Sequence, residues 1–145
     1  MLDALKSLFR PDAPRHEVPA DVAVAALLVE AARADDIYAP EEREAVARLL
    51  MAMFHLDRDA ALALRARGEA AQAEAADVVR FTRVVKFALD EDGRRQLIEA
   101  LWTVVLVDHE RAPDEDALLR KLAPLIAVDD HDSAAARQRV LARPD

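Results

Sequence analysis

The chain carries the same acidic turn twice, and this repeat constrains its fold more than any other feature. DDIYAPEE, residues 35–42, and DHERAPDE, residues 108–115, each run from an Asp through three variable positions to Ala-Pro and two acidic residues. Pro40 and Pro113 lie 73 positions apart (113 − 40), and the two turns align without a gap. Because a fixed internal period indicates repeated structural units, we predict two related halves.

Both halves consist mainly of helix-forming residues. With Gly 2 and Pro 7 in 145 residues, the abundant Ala, Leu, Arg, Glu and Val favour helix almost everywhere. Residues 21–34 and the helix that begins near Glu91 are apolar on most sides, as expected of helices in the middle of a bundle. Leu28 and Leu101 occupy matched positions in them. The predicted fold class is all-α: a compact bundle of seven to eight helices with an internal pseudo-two-fold repeat.

Prolines and aspartates predict where the other helices begin. Pro40 and Pro113 suit a first helical position. Good N-caps are Asp57, Asp77, and either Asp129 or Asp130. The predicted helices are 21–34, 40–54, 58–75, 78–89, one from Glu91, 113–126, and one ending near Leu141. Residues 1–20 are predicted to form a short helix and a proline-rich linker, and residues 21–145 the helical domain.

Composition and charge exclude several classes of function. The net charge of −8 argues against nucleic-acid binding, which requires a basic face toward the phosphates. Without cysteine there is no disulfide and no thiolate ligand, and no apolar run is long enough to span a bilayer. We therefore expect a cytoplasmic protein without an integral membrane segment. Leu2, Leu5, Leu8 and Phe9 make residues 2–9 amphipathic, which suits weak peripheral membrane contact or docking on the bundle.

The matched acids of the two turns allow two interpretations. Asp35, Glu42, Asp108 and Glu115 are candidate ligands for Ca²⁺, Mg²⁺ or Mn²⁺, which prefer several carboxylate and carbonyl oxygens. The alternative is that the acids only start helices. Glu42 and Glu115 fall at the third helical position, where a carboxylate bonds back to the backbone and favours the helix dipole.

Catalysis has no support in the sequence. There is no Ser-His-Asp or Cys-His pattern and no glycine-rich phosphate loop, so no catalytic or cofactor-binding residue is predicted and the chain is not expected to be an enzyme. Arg80, Arg83 and Lys86 form a basic strip that suits either an acidic partner or a plain solvated helix face. Trp102, inside an apolar run, is predicted to be a core residue.

Three segments resemble the TerB-like domain family, in an uncharacterised bacterial branch. They are ADDIYAPEEREAVARLL, DVVRFTRVV and RRQLIEALWTVVLVDHERAPDEDALLRKLA, and the resemblance spans roughly Asp21 to Val140. It implies a compact all-helical domain with duplicated acidic loops, in a family tied to tellurite resistance and to stress responses near the membrane. Relatives usually carry Gly after the loop Asp, where Asp36 and His109 stand here. Asp and His tolerate a left-handed backbone better than most residues.

Together these observations predict a non-catalytic TerB-like module that acts in a stress response or through a protein partner, with a divalent-cation site in its acidic loops. The alternative is a structural or adaptor bundle whose acids only cap helices. A direct role for tellurite is disfavoured, because an acidic cluster repels an oxyanion and no thiol is present to reduce it.

Overall fold

Seven α-helices and no strand occur in the part of the chain that the structure describes. The computed structural model describes residues 18–34, 36–107 and 113–143, with the backbone alone at 113–115. The helices are α1 (Ala20–Ala32), α2 (Pro40–Phe54), α3 (Arg58–Glu74), α4 (Val79–Ala88), α5 (Glu91–Val105), α6 (Pro113–Leu125) and α7 (Asp130–Ala142). The all-α prediction is confirmed. The helix predicted at residues 2–9 lies outside the described residues.

Helix α1 is the centre of the bundle. Every residue from Val22 to Val29 is buried, and so are Ala31 and Ala32. This helix packs against α2, α3, α4 and α5, so it has no solvent side for most of its length. Leu28 is fully buried in α1, and Leu101 is fully buried in α5. Both matched leucines therefore lie in the interior, but α5 is buried only from Leu97 onward, and its residues 91–96 are exposed or partly exposed.

The predicted aspartate caps are present at the starts of α3 and α7. The Asp57 carboxylate accepts a hydrogen bond from the backbone N–H of Ala60 at 2.8 Å, and Asp129 accepts one from Asp132 at 2.7 Å. Each bond satisfies an N–H that has no partner within its helix. Asp129, rather than Asp130, is therefore the cap of α7.

We predicted that Asp77 caps a helix that begins at Val78, and the predicted start is one residue too early. Helix α4 begins at Val79, and Val78 occupies the cap position. Asp77 still accepts the backbone N–H of Val79 at 2.9 Å. Since an Asp side chain readily bonds to the N–H two residues on, Asp77 forms a turn just ahead of the helix rather than the cap itself.

The two halves show similar helix pairing. In each half the first helix packs most extensively on the third, α1 on α3 and α5 on α7. Helices α1 and α5 end at Ala32 and Val105, which are 73 positions apart (105 − 32), and α2 and α6 begin at Pro40 and Pro113. Superposition of the halves about a pseudo-two-fold axis stays a prediction.

The closest approach between α1 and α3 depends on Gly68. A Cβ atom added to Gly68 would lie 2.6 Å from the Ala25 Cβ and 2.8 Å from the Ala25 carbonyl carbon. Real Cβ atoms essentially never come within 3.0 Å of such neighbours. Because one of the two atoms belongs to the backbone of a fully buried helix, a side-chain rotation cannot relieve the clash.

We predict that Gly68→Ala destabilises the fold by about 1–3 kcal/mol, the usual range for overpacking a closely packed interior. In a solvent-exposed helix the same change gains about 0.5–1 kcal/mol, so the sign of the effect reports the contact with Ala25. Urea unfolding followed by circular dichroism measures it. Gly93→Ala is the comparison: a Cβ there also meets close atoms, at 3.2 Å or more, but they belong to side chains, so this change should cost less than Gly68→Ala. A neutral or stabilising Gly68→Ala would contradict the close approach.

Candidate functional site

Glu42 is the one predicted cation ligand whose side chain the structure describes. It is buried, with 2% of its surface exposed, at the third position of α2. Its carboxylate accepts the backbone N–H of Ala39 at 3.1 Å. This bond is the half of a capping box that the sequence predicts, and it compensates for an alanine at the cap position, which has no side-chain acceptor.

The other three predicted ligands lie outside the described side chains. Asp35 and Asp108 are not among the described residues, and Glu115 is described only as a backbone position of α6. Whether the four carboxylates converge therefore stays a prediction. Within residues 18–34, 36–107 and 116–143, no group of three or more His, Asp or Glu side chains is arranged to hold a metal ion.

The first acidic loop contains a left-handed residue at the position where the resemblance to the TerB-like family implies glycine. Asp36 has φ 66°, and its N–H donates to the Arg33 carbonyl at 2.9 Å. Asp adopts this conformation more readily than most residues with a side chain. The departure from glycine is therefore compatible with a left-handed turn.

A polar cluster that the sequence did not predict joins this loop to α3. We call it the Tyr38 cluster, and it consists of Tyr38, Arg43, Arg65 and Glu69. The Tyr38 hydroxyl donates to the Glu69 carboxylate at 2.5 Å. Arg65 Nε lies 3.5 Å from the same carboxylate and Arg43 Nε lies 3.9 Å from it. Glu69 thus receives one hydroxyl and two guanidinium groups from three different segments.

Arginine side chains also cover the Tyr38 ring. The guanidinium carbons of Arg33 and Arg43 lie 4.8 and 5.5 Å from the ring centroid, within the range of a cation–π contact. Arg33 extends the contact to α3, because its guanidinium donates to the Gln72 side-chain oxygen. Gln72 in turn donates to Glu30 of α1 at 2.9 Å. Side-chain hydrogen bonds therefore join the end of α1 and the segment after it to α3.

The chemistry of this cluster is structural rather than nucleophilic. Burial raises the pKa of the Tyr38 phenol well above its ordinary range, and the hydrogen bond to Glu69 raises it further. A phenol in that environment stays neutral and acts as a hydrogen-bond donor at physiological pH. The only sequence signals for the cluster are the single tyrosine in the chain and the i, i+4 spacing of Arg65 and Glu69.

A second surface of interest is the outer face of α4. Helical spacing places Val79, Arg80, Arg83, Lys86 and Phe87 on one side of the helix, and all five are exposed. The opposite side is buried through Phe81 and Val85. We call these five residues the α4 face. The basic strip is exposed, which agrees with both interpretations of it, and Phe87 beside it is 80% exposed.

The described residues define a class: an all-helical domain built around a buried central helix, in which Pro40 and Pro113 each begin a helix. Residues 21–138 match the family described as tellurite resistance protein TerB. The chain belongs to this family. No curated protein and no solved structure matches it. Of the helices that the structure describes, none is both long and apolar enough to cross a membrane.

The Tyr38 environment predicts an unusual ionisation in the folded chain. Tyr38 is the only tyrosine, so the near-ultraviolet absorbance of tyrosinate reports this one group. In the native protein the phenol should stay protonated well above its ordinary pKa of about 10. Glu69→Gln should lower the midpoint part of the way, because the Glu69 charge is lost while burial remains. A native midpoint near 10 would contradict the buried hydrogen bond.

The raised pKa of Tyr38 determines the direction in which the stability of the fold changes with pH. Above about pH 10 an unfolded tyrosine loses its proton whereas the folded one keeps it, so the folded state binds more protons. The Tyr38 contribution is therefore fully present below that pH and decreases as the pH rises further. Urea unfolding at each pH measures the free energy of unfolding of the native chain and of Tyr38→Phe. This decrease at high pH should appear in the native chain and be absent from Tyr38→Phe.

Proposed function

We propose that this TerB-family domain is a cytoplasmic, non-catalytic interaction module whose α4 face docks an acidic segment of a protein partner. One observation carries the proposal: the most exposed large apolar side chain described, Phe87, lies beside basic residues in a chain of net charge −8. The family name refers to tellurite resistance, and we assign the chain to the same stress-response setting through its protein contacts.

The composition of the α4 face supports a protein partner of this chemistry. Val79 is 46% exposed and Phe87 is 80% exposed, so apolar surface lies at both ends of the helix face. Arg83 and Lys86 lie between them, and the Lys86 ammonium is 5.9 Å from the Phe87 ring centroid. Aromatic and arginine side chains are the residues that most often dominate binding energy at interfaces.

The positive charge of the α4 face favours an acidic partner segment. Neither Arg83 nor Lys86 forms an ion pair with a carboxylate in the part of the chain that the structure describes. Carboxylates of a partner can therefore approach both without displacing a carboxylate of the described residues. Since the chain as a whole carries a net charge of −8, an acidic segment is repelled by the protein overall and is steered toward this basic face.

The docking face is tested by placing a photo-reactive phenylalanine analogue at Phe87 in cells that natively express the protein, with the same analogue at Leu141 as the control. Leu141 is also exposed, at 50%, but lies on α7. We expect one acidic protein to be captured from position 87 only. With that protein purified, Phe87→Ser and Arg83→Glu should each weaken its affinity by about tenfold or more.

The proposal would be overturned if position 87 captured only a second copy of this chain, or if capture survived Arg83→Glu. Attachment to anionic phosphatidylglycerol vesicles in place of protein would also overturn it. So would the absence of any product at position 87. Circular dichroism of the Ser and Glu variants guards against unfolding, which is not expected because both side chains are exposed.

The acidic loops support a narrower role. Glu42, buried and bonded to the backbone of its own helix start, favours helix initiation as the function of at least this acid. A carboxylate at that position also interacts favourably with the helix dipole, by about 0.3–1 kcal/mol. The divalent-cation site that the sequence predicts at Asp35, Glu42, Asp108 and Glu115 stays a prediction.

Titration calorimetry with Ca²⁺, Mg²⁺ and Mn²⁺ tests the cation site. If the loops bind a cation, the native chain gives a saturable heat that the Asp35→Asn/Asp108→Asn double variant lacks. The melting temperature then rises with the ion, because a ligand at a hundredfold excess over Kd stabilises the folded state by about 2.7 kcal/mol. Asp59→Asn is the control, since Asp59 is an exposed acid in the first turn of α3. If no binding heat is observed down to millimolar affinity, helix initiation is left as the role of the acidic residues in the loops.

A further inference from the structure

A cavity of about 270 Å³ opens between α5, α6 and α7 in the second half of the chain. Its walls include Trp102 of α5, Asp116 and Arg120 of α6, and Asp130, Ser133 and Arg137 of α7. Ligand pockets typically measure about 300–1,000 Å³, so this one is sized for a small molecule rather than a peptide.

Trp102 forms a fixed wall of the cavity. The indole is 6% exposed, and its N–H donates to the Ser133 hydroxyl at 3.0 Å in a buried hydrogen bond. This bond joins α5 to α7 and satisfies the polar atom of the ring. Only a small part of the indole faces the cavity, and the apolar body of a ligand can contact Trp102 there.

Arg137 supplies an unsatisfied donor at the same wall. Its guanidinium carbon lies 5.6 Å from the Trp102 ring centroid, and its Nε is buried with no hydrogen-bond partner. Arginine carries five N–H donors and no acceptor, and leaving a buried donor without a partner costs free energy. An acceptor that enters the cavity would remove that cost.

Arg120 adds a second guanidinium from the neighbouring helix. Among the described residues, neither Arg120 nor Arg137 forms an ion pair or a hydrogen bond with a carboxylate. Two cationic groups thus line one cavity from α6 and α7. Asp116 and Asp130 also line it, which brings the formal charge of the wall to zero and opposes a doubly charged anion.

The matched positions in the first half lack these features. Trp102 and Arg137 correspond to Val29 and Leu64, each 73 positions earlier (102 − 29 and 137 − 64). Val29 is fully buried and Leu64 is 4% exposed, so both are ordinary core residues. At these two positions the first half therefore has aliphatic side chains, whereas the second half has an indole and a guanidinium.

We propose that this cavity binds a small organic monocarboxylate with a planar apolar body. The carboxylate pairs with Arg137 and Arg120, because a guanidinium fork matches the planar carboxylate geometry. The apolar body packs on the Trp102 indole. A phosphomonoester carries up to two negative charges and meets Asp116 and Asp130, so it is the poorer fit. The proposal concerns a different face from α4 and does not depend on the docking function.

Trp102 reports occupancy directly, because it is the only tryptophan in the chain. The single indole N–H cross-peak in a ¹⁵N–¹H spectrum is followed while benzoate is added to the full chain. We expect a saturable shift with benzoate and none with benzamide, which has the same shape without the charge. Inorganic phosphate, the second anion tested, should shift the peak more weakly than benzoate.

Variants connect the binding to the two arginines. Arg137→Gln and Arg120→Gln should each raise the benzoate Kd by about tenfold, whereas Arg48→Gln, an exposed arginine on α2, should leave it unchanged. Arg120 is exposed, so its variant remains informative if Arg137→Gln fails to fold. The proposal is overturned if benzoate gives no saturable shift up to about 20 mM, where a millimolar Kd would be saturated. Equal shifts with benzamide, or unchanged affinity in the Arg120→Gln variant, would overturn it as well.

Discussion

The close approach of α1 and α3 at Gly68 and Ala25 is the contact on which the bundle depends. A helix buried on all sides, as α1 is, must accommodate neighbours in several directions, and small residues let at least one neighbour come near. Ala23, Ala25 and Ala26 provide this on α1, and Gly68 provides it on α3. Interiors pack at crystal-like density, so the other helices are positioned around this pair rather than independently of it.

The same contact organises the first loop. Glu69 follows Gly68 directly, and Gln72 lies one helical turn further along α3. With α3 held against α1, these two side chains reach the segment that leaves α1, where Glu69 accepts the Tyr38 hydroxyl and Gln72 accepts from Arg33. A shift of α3 away from α1 would separate all of these polar partners at once. The loop geometry is thus a consequence of helix packing.

Much of the fold could be predicted from sequence, because its strongest signals are local. Apolar residues on most sides of a segment indicated a buried helix at Leu28 and Leu101, and Asp57 and either Asp129 or Asp130 indicated helix starts. Gly68 gave no such signal, since one glycine among alanines costs a helix only about 1 kcal/mol. The Tyr38–Glu69 bond joins residues 31 positions apart and follows from tertiary packing, which no local pattern encodes.

The two halves differ physically despite their shared pattern. The first half pairs its first and third helices through a glycine, whereas α7 contains no glycine and pairs with α5 through larger groups. Trp102 bonds to Ser133 in the interior, and Glu99 pairs with Arg139 at 3.1 Å along the edge. A cavity of about 270 Å³ lies beside the Trp102–Ser133 pair. Helix α5 therefore meets α7 through an indole, a hydroxyl and an ion pair, whereas α1 meets α3 through small residues.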